Sequence, residues 1–219
     1  TGSVGAGVGR DEKDCSPGAY LGGSEPKNGK YEKLTGRGMD MMMDDLEKVL
    51  FTPEQLADKV QELGEKISRD YAGKEILVIG ILKGASMFTM DLVRHIKEPL
   101  ALDFIAVSSY GSGTASSGEV KILKDTAIDI KGKHVILCED IIDSGATMAE
   151  LLPLLKNRRP ASLALCALLS KPSRRTAAVT INYCGWEVPD EFIVGYGLDY
   201  AEKYRNLPCI GVLKREIYA

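Results

Sequence analysis

The sequence predicts an α/β fold in which helices flank both faces of a central parallel sheet. Several short runs are apolar throughout, and segments with helical periodicity separate them along the chain. Strands that are apolar on both faces lie in covered parallel sheets, whose connections are helical. A chain of 219 residues with 44% hydrophobic and 27% charged residues is long enough for one domain with a sizeable core.

The order of the elements follows from local signals. Thr52 and Gln55 form a capping box around Pro53, which predicts that a helix begins there. The predicted helices cover residues 53–71, 86–96 and 146–156, and the predicted strands cover residues 76–82, 102–109, 135–138, 163–169 and 192–195. Residues 1–38 are glycine-rich without periodicity. We therefore expect a flexible leader there, either added in cloning or natural, before a domain at residues 39–219.

Charge and cysteine content exclude several classes of protein. The 28 basic and 31 acidic residues give a net charge of −3, which provides no field to hold a nucleic acid. The apolar runs are shorter than the ~20 residues that cross a bilayer. The five cysteines have no CxxC spacing, and most lie in apolar stretches. We expect a cytoplasmic protein with reduced thiols that binds neither nucleic acid nor membrane.

The most informative segment, residues 135–147, joins a buried strand to a helix. Its strand ends at Cys138 and leads into a turn that begins with Glu139 and Asp140 and continues through Ser144 and Gly145. Backbone N–H groups and hydroxyls at a helix N-terminus suit a phosphate, and the paired carboxylates suit sugar hydroxyls or a bridging divalent cation such as Mg²⁺. A capped helix after a buried strand is the other interpretation, with the acids favoured by the helix dipole.

Residues 139–147, Glu-Asp-Ile-Ile-Asp-Ser-Gly-Ala-Thr, resemble the phosphoribosyl pyrophosphate (PRPP) motif of the type I phosphoribosyltransferases. Further segments resemble the hypoxanthine-guanine phosphoribosyltransferase family in particular; they are residues 82–84, 108–111, 169–172, 188–190 and 192–200. The resemblance covers about residues 45–219 in the family's order. It implies the type I phosphoribosyltransferase fold, with a small C-terminal hood mainly from residues 172–219.

The resemblance implies a purine salvage enzyme. It would transfer the 5-phosphoribosyl group from PRPP to N9 of hypoxanthine or guanine, giving IMP or GMP plus pyrophosphate, with Mg²⁺ as cofactor. It also implies a homodimer or homotetramer. Two alternatives stay open: a regulatory nucleotide- or RNA-binding protein on the same fold, which the neutral charge balance disfavours, and a transferase specific for xanthine or a pyrimidine.

The same resemblance assigns roles within residues 139–147. Glu139 and Asp140 would hold the ribose hydroxyls and the metal, and Asp143 would exchange a proton with purine N7. A helix N-cap is the other role open to Asp143, and the two are compatible. The 5′-phosphate would bind the residues of the turn and first helical turn: Ser144, Gly145, Ala146 and Thr147.

Pyrophosphate is assigned to residues outside that segment. By resemblance, Lys83, Gly84 and Arg205 would bind it, and the Leu82–Lys83 peptide can be cis in the family. Lys83 and Gly84 follow a strand end, where the ligand sites of parallel sheets collect. Asp199 would contact Mg²⁺ through water. Taken singly, these charged residues are equally typical of a solvated surface.

The purine is assigned to three residues near the C-terminus. By resemblance, the Lys171 ammonium would bind O6 and N7, Phe192 would stack on the ring, and the backbone of Ile193 would read its Watson–Crick edge. An ammonium suits a 6-oxo group and not the amino group of adenine. A lysine stem that snorkels to solvent and a core phenylalanine are the alternative interpretations of Lys171 and Phe192.

Residues 110–119 are too polar and glycine-rich to pack. By resemblance they form a lid, with Ser109 and Tyr110, that closes over the site and keeps water from the charged ribose as pyrophosphate leaves. A long hairpin loop without a function is the alternative.

Overall fold

Nine strands and five helices make up the residues that the computed structural model describes, 37–109 and 120–219. The strands are β1 (Leu46–Phe51), β2 (Ile76–Leu82), β3 (Leu100–Ser109), β4 (Val120–Lys124), β5 (His134–Ile142), β6 (Ser162–Ser170), β7 (Tyr183–Glu187), β8 (Ile193–Val194) and β9 (Ile210–Leu213). The helices are α1 (Arg37–Asp44), α2 (Pro53–Asp70), α3 (Ser86–His95), α4 (Ala146–Asn157) and α5 (Arg215–Tyr218). Residues 1–36 of the predicted leader lie outside the described residues.

The main sheet has six strands in the order β4-β3-β2-β5-β6-β7. Strands β3, β2, β5, β6 and β7 run parallel, and only the edge strand β4 is antiparallel to its neighbour. The predicted α/β fold with a central parallel sheet is therefore confirmed. The first six residues of β2 are all buried because helices cover both faces of the sheet.

Each face of this sheet has its own hydrophobic cluster. On one face α2 and α3 contribute buried residues such as Ile67 and Phe88, and on the other α4 contributes Leu151 and Leu155. The predicted capping box starts α2, because the Thr52 hydroxyl accepts the Gln55 N–H at 3.3 Å and the Gln55 side chain accepts the Thr52 N–H at 2.9 Å.

A second sheet of three strands, in the order β1-β9-β8, draws on both ends of the domain. Strand β1 pairs antiparallel with β9, so that Leu46 faces Leu213. The predicted strand at residues 192–195 shrinks to Ile193–Val194 and lies in this sheet rather than in the parallel one. The prediction failed because a short apolar run does not reveal its partner, and Gly195 ends it with a φ of +100°.

The remaining predictions at this level concern thiols and membranes. Cys138, Cys166 and Cys209 are buried and Cys184 is half-buried, and none of these four is in a disulfide, as expected for reduced cysteines. Among the described residues, no helix has both the length and the apolar character needed to cross a membrane.

Candidate active site

The two adjacent acids, Glu139 and Asp140, lie within strand β5 where it pairs with β6. We predicted that β5 ends at residue 138, but it continues to Ile142, because Glu139 pairs with Ala167 and Ile141 with Leu169 of β6. Glu139 and Asp140 therefore lie in a strand and not in a turn, so their side chains leave opposite faces of the backbone. A rigid element thus fixes both carboxylates at the carboxyl edge of the sheet.

The two carboxyl groups are held where a negative charge is unfavourable. Burial, with a smaller contribution from the charge of Asp140, raises the pKa of Glu139 well above its usual range. Burial is also the largest cause that raises the pKa of Asp140 to about 6; the Ile141 N–H and Arg205 lower it, and Asp199 adds to the increase. A cation or a hydroxyl donor bound beside them would stabilise the charged form of both acids.

Residues 143–147 comprise the turn after β5 and the first two residues of α4, and we name them the phosphate loop after the ligand that the sequence predicts for them. It borders a pocket lined by Glu139, Asp143, Ser144, Gly145 and Thr147. Gly145, with a φ of +81°, is the N-cap of α4, and the Ser144 hydroxyl accepts the Ala146 N–H at 3.3 Å. Asp143 is therefore not the N-cap, and that alternative is wrong.

Asp143 and Lys171 come together across the ends of β5 and β6. The Lys171 Nζ lies 3.5 Å from the Asp143 Oδ1 and donates to the Glu191 carbonyl at 2.8 Å. Lys171 is only 5% exposed, so it does not snorkel to solvent. The Asp143 Oδ1 is buried without a hydrogen-bond partner among the described residues. A carboxylate with a free acceptor site thus lies beside a fixed ammonium.

The turn after β2 contacts the acids of β5. The Leu82–Lys83 peptide is cis, as the resemblance implies. A Cβ atom on Gly84 would lie 1.8 Å from the Asp140 Oδ2, so only glycine allows this approach. The Lys83 side chain is 67% exposed and reaches across to the segment that follows β8.

That segment supplies a network of charges around Arg205. One guanidinium nitrogen of Arg205 lies 2.9 Å from Asp199 and 3.4 Å from Glu202, and the other donates to the Gly197 carbonyl at 2.8 Å. The Glu202 carboxylate also accepts from Lys83 at 3.0 Å. The sequence gives no local signal for Glu202, because its partner Lys83 lies on the turn after β2, far away in the chain.

Phe192 lies at the edge of the second sheet and is 36% exposed, so the interpretation as a core residue is wrong. Its ring stacks on Tyr218 with centroids 4.7 Å apart and meets Tyr200 edge-on at 5.5 Å. The buried Ile193 follows in β8, paired with Val212. Tyr218 was also missed, because no local sequence pattern indicates that α5 packs against Phe192.

The predicted lid lies largely outside the described residues. Ser109 ends β3 and pairs with Val120 of β4, so residues 110–119 join two antiparallel strands. Tyr110 and residues 111–119 lie in the part of the chain that the structure does not describe.

Comparison with known proteins identifies the class. A family model described as "Phosphoribosyl transferase domain" matches residues 50–201, more than half of the chain. The chain therefore belongs to the phosphoribosyltransferase family, and it has the parallel sheet with the acids and the phosphate loop at its carboxyl edge.

The relatives narrow the family assignment to the hypoxanthine-guanine phosphoribosyltransferases. The chain is 51% identical over 178 residues to the hypoxanthine-guanine phosphoribosyltransferase of Bacillus subtilis (strain 168), covering 81% of this chain and 99% of that protein. The crystal structure of a hypoxanthine phosphoribosyltransferase from Staphylococcus aureus (tetragonal space group) superposes with a TM-score of 0.79 at 47% identity, covering 82% of this chain and 97% of that one.

A longer relative also matches. The "Bifunctional protein TilS/HprT" of Listeria innocua serovar 6a is 50% identical over 190 residues, which cover 87% of this chain. The chain spans only 29% of the length of that relative. The match therefore concerns one part of the bifunctional protein.

Proposed function

We propose that the protein transfers the 5-phosphoribosyl group of PRPP to N9 of hypoxanthine or guanine in purine salvage, giving IMP or GMP and pyrophosphate. The observation that carries this proposal is the Lys171 ammonium 3.5 Å from the Asp143 carboxylate, directly beside the phosphate loop. The ammonium donates a hydrogen bond, and the carboxylate accepts a proton. A 6-oxopurine needs a donor for its O6 and an acceptor for its N7 proton when its N9 attacks the C1′ atom of the ribose.

The base would be recognised by its O6 and N7 atoms. The Lys171 ammonium has only donors and therefore suits the oxygen of a 6-oxopurine rather than the amino group of adenine. Phe192, whose ring is partly exposed, would stack on the purine, and the backbone of Ile193 would read its Watson–Crick edge. Asp143 accepts the N7 proton, the N9 lone pair forms the bond to C1′, and the C1′–oxygen bond to pyrophosphate breaks.

PRPP would bind along the carboxyl edge of the sheet. Its 5′-phosphate would take the phosphate loop, from Ser144 through Gly145 and Ala146 to Thr147. The ribose hydroxyls would bind Glu139 and Asp140. Its pyrophosphate would bind at the turn of Lys83 and Gly84 and at the guanidinium of Arg205. These cations offset the charge that develops on the leaving group.

Mg²⁺ fits this edge as an ion shared with the substrate. The described residues contain no group of three or more acids, histidines or cysteines that would hold a metal alone. Mg²⁺ is commonly bound by one or two carboxylates together with substrate phosphates, and Glu139 and Asp140, with Asp199 through water, would supply that part. Bound there, Mg²⁺ would neutralise the charge of the pyrophosphate.

The remaining parts of the proposal concern the lid, the assembly and the compartment. Ser109 and Tyr110 would begin a loop that closes over the site and excludes water during transfer. The protein would act as a homodimer or homotetramer in the cytoplasm, and would bind neither nucleic acid nor membrane.

A spectrophotometric assay tests the proposal. Hypoxanthine, guanine, xanthine and adenine are offered separately with PRPP and Mg²⁺, and each is repeated with a chelator. We expect metal-dependent turnover of hypoxanthine or guanine and none of adenine. Preferential use of xanthine would change the assigned base. Absence of any turnover despite PRPP binding would contradict the enzyme and favour a regulatory protein.

A further inference from the structure

We propose that Arg175 is a positioning residue for PRPP: it holds the phosphate loop from behind and adds an unpaired positive charge beneath the 5′-phosphate, without touching the substrate. This inference rests on the proposed function, because it concerns the same loop. Sequence motifs assign no role to Arg175, which follows the 3-10 turn Pro172–Arg174 after β6.

The contacts of Arg175 connect the ends of two strands. Its Nη2 donates to the Ser170 hydroxyl at 2.8 Å, at the end of β6, and to the Ile142 carbonyl at 3.3 Å, at the end of β5. Ser170 is only 3% exposed. A Cβ atom on Gly145 would lie 3.0 Å from the Arg175 Cδ. The side chain therefore passes directly against the phosphate loop.

The backbone that follows Arg175 orients a peptide group of the loop. The Ser144 carbonyl accepts the N–H groups of Thr176 and Ala177 at 3.0 and 3.1 Å. In a trans peptide the carbonyl and the following N–H point in opposite directions, so the Gly145 N–H is directed away from this segment. The Ile142 carbonyl likewise accepts the Lys171 N–H at 2.9 Å and the Arg175 Nη2 at 3.3 Å, which directs the Asp143 N–H away from this segment. The residues packed behind the loop thus direct its backbone N–H groups towards the side opposite Arg175.

Over residues 37–109 and 120–219, no carboxylate lies within ion-pair distance of the Arg175 guanidinium, and its Nε is buried without a hydrogen-bond partner. The side chain as a whole is half-buried, so solvent compensates this charge only in part. A phosphate bound on the other side of the loop would supply the missing negative charge. The neighbouring Arg174 differs, since it is exposed and lies 3.3 Å from Asp190.

Calorimetric titration with ribose 5-phosphate and, separately, with pyrophosphate and Mg²⁺ tests this inference. For Arg175→Met we expect the dissociation constant of ribose 5-phosphate to rise about tenfold, equal to about 1.4 kcal/mol. Pyrophosphate affinity should stay within about twofold, because that ligand binds elsewhere. Arg175→Lys, which keeps the charge, should recover part of the loss. Arg174→Met is the matched control and should bind both ligands like the wild type.

Unchanged ribose 5-phosphate affinity in Arg175→Met would overturn the inference, as would an equal loss of both ligands with a lower melting temperature. If Arg175→Met does not fold, the affinities of Arg175→Lys for ribose 5-phosphate and for pyrophosphate are compared instead. A selective loss of ribose 5-phosphate affinity supports the inference, and unchanged affinity for both ligands overturns it. The base assay on the wild type keeps the two proposals separate. A wild type that binds ribose 5-phosphate and turns over no base contradicts the proposed function and not the role of Arg175.

Discussion

The Lys171 Nζ and the Asp143 Oδ1 lie 3.5 Å apart, although the two residues are 28 positions apart in the chain. They meet because Asp143 directly follows β5 and Lys171 directly follows β6. These two strands are adjacent and parallel, so their carboxyl ends share one edge of the sheet. The Glu191 carbonyl fixes the ammonium at 2.8 Å. A hydrogen-bond donor and a proton acceptor therefore lie side by side before any base binds.

Lys171→Met should weaken binding of the base and spare PRPP. The change removes the ammonium that donates to O6, so we expect the KM for hypoxanthine to rise about tenfold or more, as for loss of a hydrogen bond to a charged group. The dissociation constant of PRPP should change less than about twofold. Lys133→Met, at an exposed position, is the control. An unchanged KM for hypoxanthine would refute the assigned contact.

Asp143→Asn should lower turnover and leave substrate binding almost intact. The amide keeps the shape of the side chain but does not accept the N7 proton, so kcat should fall about 10²-fold or more. Affinity for PRPP, measured by titration, should stay within about threefold. Asp190→Asn, in an exposed pair with Arg174, serves as the control. If kcat stays at the wild-type value, Asp143 is not the proton acceptor.

Gly84→Ala should displace the Asp140 carboxylate without unfolding the protein. The new Cβ would lie 1.8 Å from the Asp140 Oδ2, which must rotate away. We expect the KM for PRPP to rise about tenfold while the melting temperature changes by less than about 3 °C. Gly38→Ala is the matched control, since nothing lies within 4 Å of its Cβ position. Wild-type kinetics in Gly84→Ala would mean that the position of Asp140 is unimportant.

Glu202→Gln should strengthen pyrophosphate binding. The Glu202 carboxylate pairs with both Lys83 and Arg205, and it would compete with pyrophosphate for these cations. Because exposed pairs contribute little, we expect the dissociation constant of pyrophosphate to fall only about two- to threefold. Glu216→Gln, at an exposed position of α5, should leave it unchanged. A weaker affinity would show instead that Glu202 orders the two cations.

Asp103→Asn should reduce stability at neutral pH and not in acid. Burial alone would raise the pKa of Asp103, but N–H groups of Ile128, Phe104 and Ala127, with the charge of Lys124, together lower it below 3.8. A lowered pKa stabilises the folded state above the unfolded value, and this contribution is lost as pH falls through the folded value. We expect a loss of about 1–3 kcal/mol at pH 7.

Urea unfolding of wild type and Asp103→Asn between pH 7 and pH 3 measures this effect. The difference between the two should shrink as the pH falls below about 4, because the wild-type carboxylate then takes up a proton. Asp58→Asn, at an exposed position of α2, should differ little from the wild type at any pH. A difference for Asp103→Asn that is the same at pH 7 and pH 3 would contradict the ionic role of Asp103.

The sequence predicted the candidate site better than its surroundings. The acids of β5, the turn at Gly145 and three basic residues, Lys83, Lys171 and Arg205, were identified from motifs, because each motif is a short stretch of chain. Glu202, Tyr218 and Arg175 were missed, since each also contacts a residue that is distant in the chain: Lys83, Phe192 and Ile142, respectively. Tyr218, for example, stacks on Phe192 only because α5 returns to the second sheet.

The sequence by itself determined the parallel sheet, the start of α2 and the turn before α4, because apolar periodicity, capping and the conformational freedom of glycine act over a few residues. Only the tertiary structure decided that Lys171 is buried beside Asp143, that Phe192 is partly exposed, and that β1 pairs with β9. These outcomes depend on which strands become neighbours and how their side chains pack. A local pattern carries no information about that choice.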